Sequence, residues 1–193
     1  MLGKISYGEF NMKWKNPLAI IGVAMLSLFV ITTAVAGSKG DIDASVSKAL
    51  IQFYALNAKH KDLAAKAAGM LVFPSITKGG VGVAGEYGEG VLQVKGATVD
   101  YYNIGSASIG LTLGIASRSE IVMFMTEEAL DKFKNSDGWK IGVDAGVAVV
   151  SVGAGGQYDT KTLQQPIIGF VFGEKGLIGD LSLEGSKITK IQK

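Results

Sequence analysis

One histidine, His60, one arginine, Arg118, and no cysteine are what the 193 residues offer to proton transfer, phosphate clamping and thiol chemistry. Without cysteine there is no disulfide, thiolate metal site, cysteine nucleophile or lipidated anchor cysteine. One histidine cannot build a multi-histidine metal cluster, so neither a metal nor a cofactor is expected. His60 stands among Lys59, Lys61 and Asp62, with no serine partner in a G-x-S-x-G setting, and reads as a surface histidine at a helix junction. The acids Glu127, Glu128 and Asp131 follow Thr126. They read as a capped helix start rather than a catalytic carboxylate pair, because carboxylates favour the positive end of the helix dipole. Gly80, Gly82 and Gly85 spell G-x-G-x-x-G, with Asp100 near the distance of a ribose ligand. A dinucleotide site needs that turn to open a helix, and Glu86-Tyr87-Gly88-Glu89-Gly90 cannot do so. The residues name no catalytic site, and the chain reads as a non-enzyme.

Charge and hydropathy set the wider frame. The net charge is +2, and Lys4, Lys13 and Lys15 against Glu9 account for it; residues 37–193 are neutral. A neutral domain with one arginine lacks the basic stripe that nucleic acid requires. The basic start leads into an uncharged run, LAIIGVAMLSLFVI at 18–31, and then Ala34-Val35-Ala36. These are the parts of a secretory signal, predicting a leader at 1–36 and a single exported domain at 37–193. Left uncleaved, residues 18–36 are nearly long enough to anchor the domain to the inner membrane. Either way the domain is expected in the periplasm or secreted.

The elements follow from periodicity. Ile42, Val46, Ala49, Leu50, Phe53 and Leu56 recur at helical steps, with Asp41 or Asp43 as N-cap. KDLAAKAA, beginning near His60, predicts a second helix stopped by Gly69, and Pro74 predicts a turn. The pattern then becomes period two. Ile109, Leu111, Leu113 and Ile115 alternate with small residues, and so do Ile141, Val143, Ala145, Val147 and Val149. A strand face without side chains marks a bend or the close approach of another backbone. On that argument Gly114 and Gly146 should be intolerant of valine. Gly85-Glu86-Tyr87-Gly88 and Gly173-Glu174-Lys175-Gly176 lead into two similar segments, read as two hairpins. The fold class predicted is α+β: a strongly curved, glycine-rich antiparallel sheet or barrel with two N-terminal helices and one inserted helix packed on it.

Five blocks taken together carry a family resemblance. GMLVFPSITKGGVGVAGEYGEGVLQVKG (69–96), GSASIGLTLG (105–114), EIVMFMTEEALDKF (120–133), the strand after Trp139 and GLIGDLSLEGSKI (176–188) resemble the SYLF lipid-binding domain family. The likeness spans about 41–190 and is to the bacterial exported branch, related to the eukaryotic phosphoinositide- and actin-binding SYLF domains. It implies phospholipid binding without catalysis. Two segments depart from the family pattern: Val99-Asp100-Tyr101-Tyr102-Asn103, and Phe170-Val171-Phe172-Gly173-Glu174. The second puts an acid where the family has an arginine, which argues against tight polyphosphoinositide recognition. The contact residues left for an anionic phospholipid or membrane surface are Lys48, Lys59, Lys61, Lys66 and Lys78, with Phe53 on the adjoining apolar face. The alternative is a structural or protein-interaction module of the cell envelope, in which that apolar face docks on the sheet and the lysines are solvated.

Overall fold

The computed structural model describes residues 37–144, 146–152, 161–175 and 185–193, with the backbone alone for 81–83 and 108–113. The leader at 1–36 lies outside the described residues, as do Ala145 and most of the second hairpin-like segment. The helix α1 spans Lys39–Leu56, and Ser38 caps it by accepting a hydrogen bond from the Asp41 amide. The cap lies upstream of both expected aspartates, for a visible reason. Asp43 is engaged elsewhere, accepting from the Tyr101 hydroxyl at 2.9 Å and so tying the helix to the sheet. The second helix, α2, is Lys59–Lys66; it ends before Gly69, which instead opens a strand.

That strand, β1 (Gly69–Val94), pairs antiparallel with β2 (Ala97–Phe124) along almost its whole length. Pro74 sits at a register shift between Phe73 and Ile76, so it marks a bulge inside the strand rather than the expected turn. The G-x-G-x-x-G glycines also lie within β1, which confirms that no helix opens there. Residues Lys95 and Gly96 close the ribbon. Beyond it come α3 (Glu127–Lys134), β3 (Trp139–Lys140), β4 (Ala148–Ser151), β5 (Ile167–Lys175) and β6 (Lys187–Ile191). Thr126 caps α3 as expected, accepting from the Ala129 amide. On its other side β2 carries β6 along Tyr101–Gly105 and β5 along 117–124. The β4–β5 pair is parallel, so the sheet is mixed and not wholly antiparallel.

The ribbon curls upon itself. Glu86 lies opposite Ser106, and Arg118 lies opposite Ile76. In a flat ribbon the two would stand roughly ten residues, about 33 Å, apart. Their side chains meet at 2.8 Å. A Cβ on Gly90 would lie 2.2 Å from the Val72 carbonyl oxygen, and one on Gly88 would lie 2.8 Å from that of Ser75. These two glycines are where β1 crosses its own beginning.

A curled sheet has two buried faces, and each has its own core. Inside the curl, Leu71, Phe73, Leu92, Ile104, Val122 and Phe124 pack with Leu130 and Phe133 of α3 and with Trp139. Outside it, Val72, Val91, Ile121, Met123, Phe170 and Phe172 pack under Ile42, Val46, Ala49 and Phe53 of α1. Strands covered on both sides read as unbroken apolar runs, as MLVF, IVMF and IIGFVF do here. The expected alternating strand from Ile141 to Val149 does not form as one element. Ile141 is buried, a turn follows it, and Val143 is 71% exposed before β4 begins.

Candidate functional site

The outer core fixes where the lysines point. Because α1 commits Ile42, Val46, Ala49 and Phe53 to the sheet, Lys48 faces solvent. Lys59, Lys61 and Lys66 are exposed on α2. The four ammonium groups make no ion pair among the described residues. The helices therefore carry four of the five predicted lysines, exposed and without an ion pair among the described residues. Lys78 belongs elsewhere. It is half-buried opposite Ala116, which shares the inward face with Arg118, so it lies on the opposite side of the sheet from the helices.

Phe53 and His60 require corrections. Phe53 has no exposed surface and cannot meet a lipid surface from this fold; it is a core residue. His60 is not a surface histidine. Its ring stacks on Phe53 at 3.9 Å, nearly parallel, and its Nδ1–H donates to the Phe53 carbonyl at 2.6 Å. Burial pushes its pKa below the usual value, while the carbonyl pulls the other way, so the neutral ring is favoured. Its polar neighbours in sequence concealed that it is turned inward, where it staples α2 to α1.

The same helices frame a crevice that the sequence does not announce. A cavity of about 290 Å³ lies between α2 and the β1–β2 turn, lined in part by Tyr54, Lys61, Ala64, Ala67, Met70 and Lys95. Lys95 comes from the turn and escaped notice, because nothing in its neighbourhood of the sequence points toward α2.

Inside the curl sits a second missed group. Arg118 donates to both carboxylate oxygens of Glu86, at 2.9 and 2.8 Å, and Ser186 donates to Glu86 at 3.5 Å. Glu120, two residues along β2, lies 3.7 Å from Arg118, and neither of its oxygens has a hydrogen-bond partner among the described residues. Burial pushes its pKa up to about 7, against the pull of Arg118 and with the push of Glu86. The acid at Glu174 also acts on Arg118, so the departure from the family pattern at that position bears on this buried charge. Glu120 has no exposed surface. A carboxyl so enclosed can shape stability but cannot reach a substrate, which separates it from the acid–base pair of a hydrolase.

Residues 105–193 match the family described as Ysc84: Las17-binding protein actin regulator. No match was found among the curated proteins. The matched segment takes in most of β2 and every later element, whereas α1, α2 and β1 lie before it.

Proposed function

Taking as premise that residues 105–193 match the Ysc84/SYLF family, we propose that the chain is a non-catalytic phospholipid-binding protein of the cell envelope, exported by its 1–36 leader and acting at an anionic membrane surface. The observation that carries this reading is the set of four exposed ammonium groups of Lys48, Lys59, Lys61 and Lys66 on two adjoining helices, without an ion pair among the described residues. Each lysine near an anionic surface contributes about 1 kcal/mol, so the attraction needs several acting together. Phe53, Ile42, Val46 and Ala49 are spent on the core, which leaves Ile51 and Leu56 as the exposed large apolar side chains of α1, so the contact is chiefly electrostatic. Added salt should weaken it, because exposed charges are screened beyond roughly 10 Å at 0.1 M.

The test is co-sedimentation of the full chain with phosphatidylglycerol vesicles and with phosphatidylcholine vesicles across a salt series. The expected outcome is preference for the anionic vesicles, lost at high salt. Replacing Lys48, Lys59 and Lys66 together with Gln should abolish the preference while the circular dichroism spectrum is unchanged. Binding by that triple variant equal to the parent's would remove the helical surface from the mechanism. The family description, with its binding partner and its actin regulation, favours a second reading as a protein-interaction module. Failure of the unaltered chain to bind either vesicle would leave that reading in place.

A further inference from the structure

We propose that the crevice between α2 and the β1–β2 turn is a headgroup site for one anionic phospholipid, with Lys61, Lys95 and the Tyr54 hydroxyl binding its phosphate. The proposal deepens the membrane-surface reading and rests on it. The crevice presents donors and no carboxylate: two lysines, a tyrosine and Gln93 stand among walls of Ala64, Ala67 and Met70. Neither ammonium group has an ion-pair partner among the described residues, and the Tyr54 hydroxyl makes no hydrogen bond there. Burial raises the pKa of Tyr54, so its hydroxyl stays protonated and can donate. Three donors without a protein partner among the described residues, two of them charged, line one concavity and suit an anion. The small apolar walls suit the glycerol carbons next to it. At about 290 Å³ the space lies at the lower edge of ligand-pocket volumes, which start at about 300 Å³, and has room for a headgroup.

The backbone supplies an independent reason. Lys95 and Gly96 form a two-residue hairpin turn with φ of +51° and +79°. Such a turn favours Asn-Gly or Gly-Gly, because both positions need positive φ. Lys95 is the one described non-glycine residue with positive φ, and it is a lysine lining the crevice. Asn would fit that position with less strain, and the residue held there instead is a lysine that lines the crevice.

The experiment is calorimetric titration of the full chain with dihexanoyl phosphatidylglycerol below its micelle concentration, beside dihexanoyl phosphatidylcholine and inorganic phosphate. Phosphatidylglycerol should bind tightest, and both other probes at least about five-fold more weakly, since one lacks the net charge and the other the apolar part. Lys95→Asn should melt at a higher temperature yet bind phosphatidylglycerol at least about five-fold more weakly. Lys61→Gln should weaken it similarly, and Tyr54→Phe by roughly two- to five-fold. A more stable Lys95→Asn variant with the parent's affinity would overturn the proposal. Equal affinity for inorganic phosphate would overturn the lipid assignment. Vesicle co-sedimentation on the same preparations separates the two readings. Vesicle binding without uptake of the soluble lipid sinks the crevice alone. Uptake that depends on Lys61 and Lys95 without vesicle binding supports the crevice and sinks the surface.

Discussion

Two stretches of the β1–β2 ribbon, the crossed end and the middle, are both rich in glycine, and they meet opposite fates. At the crossed end, Gly88 and Gly90 are buried and the carbonyls of Ser75 and Val72 occupy the space a side chain would need. In the middle, where Gly114 lies opposite Gly80 and Gly85 opposite Ala107, neither glycine has a described atom within 4 Å of a would-be Cβ, and Ile115 is 76% exposed. Gly114 still has a use for its missing side chain, since its φ is +128°. The contrast shows that glycine alternation permits curvature along the whole ribbon, while the crossing of β1 over itself demands glycine at only two positions described here. Glycine texture therefore predicts that a sheet bends better than it predicts where.

Breaking the crossed end should have the largest effect. In Gly90→Ala the added methyl would lie 2.2 Å from the Val72 carbonyl oxygen and 2.6 Å from the Phe73 ring. The carbonyl belongs to a paired strand and cannot swing aside as a flexible side chain would. The cost should be about 3 kcal/mol or more, at or above the upper end of ordinary overpacking. Urea melts will read it as a large fall in midpoint. An unchanged midpoint would mean that β1 does not cross itself at this place.

How much of this was legible in the sequence depends on whether the cause was local. The helix steps of Ile42 to Phe53, the Thr126 cap and the curved α+β class were readable, because periodicity and capping act over a few residues. That Lys48, Lys59, Lys61 and Lys66 lie on helices was readable for the same reason. What failed depended on contacts between distant segments. Pro74 reads as a turn until β2 is laid beside it and makes it a bulge. His60 reads as exposed until Phe53 closes on it. Lys95 and Lys61 are separated by the whole of β1, and Glu86 and Arg118 by most of the ribbon, so no window of sequence holds either pair.

Glu120 sharpens the comparison, because it sits where the curl brings separate parts of the ribbon together. Its carboxyl titrates at about 7 in the folded protein against 4.5 in its ordinary state. Between those values the folded state holds the extra proton, so stability falls as pH rises from 4.5 to about 7 and stays reduced above. His60 acts in the opposite sense. Its lowered pKa means that the unfolded chain binds more protons below 6.5, so stability falls as pH drops through that region. Glu120→Gln removes the first dependence and keeps the second. At about pH 8 the variant should be more stable by roughly 1–3 kcal/mol, and below about pH 5 it should gain little. Thermal melts of both proteins across this range decide the matter. A gain that is the same at every pH would show that Glu120 is not held protonated by burial.

The smallest effect belongs to Gly146, and it separates glycine texture from glycine need most cleanly. It stands next to the turn after Ile141, its would-be Cβ meets nothing within 4 Å, and it is exposed. Unlike Gly114, it is not among the glycines with positive φ, so a side chain brings neither collision nor backbone strain. Overpacking, which the alternation with Val147 and Val149 predicts here, has no atoms to act through. Gly146→Val should therefore shift stability by no more than about 0.5 kcal/mol, as for surface changes away from special features. Replacing glycine also restricts the unfolded chain, which adds a small favourable term and can make the net change stabilising. A urea midpoint within error of the parent's, or slightly above it, is the expected result. A loss as large as that of Gly90→Ala would mean that Gly146 also faces a crossing strand, and the difference between the crossed end and the open parts of the sheet would vanish.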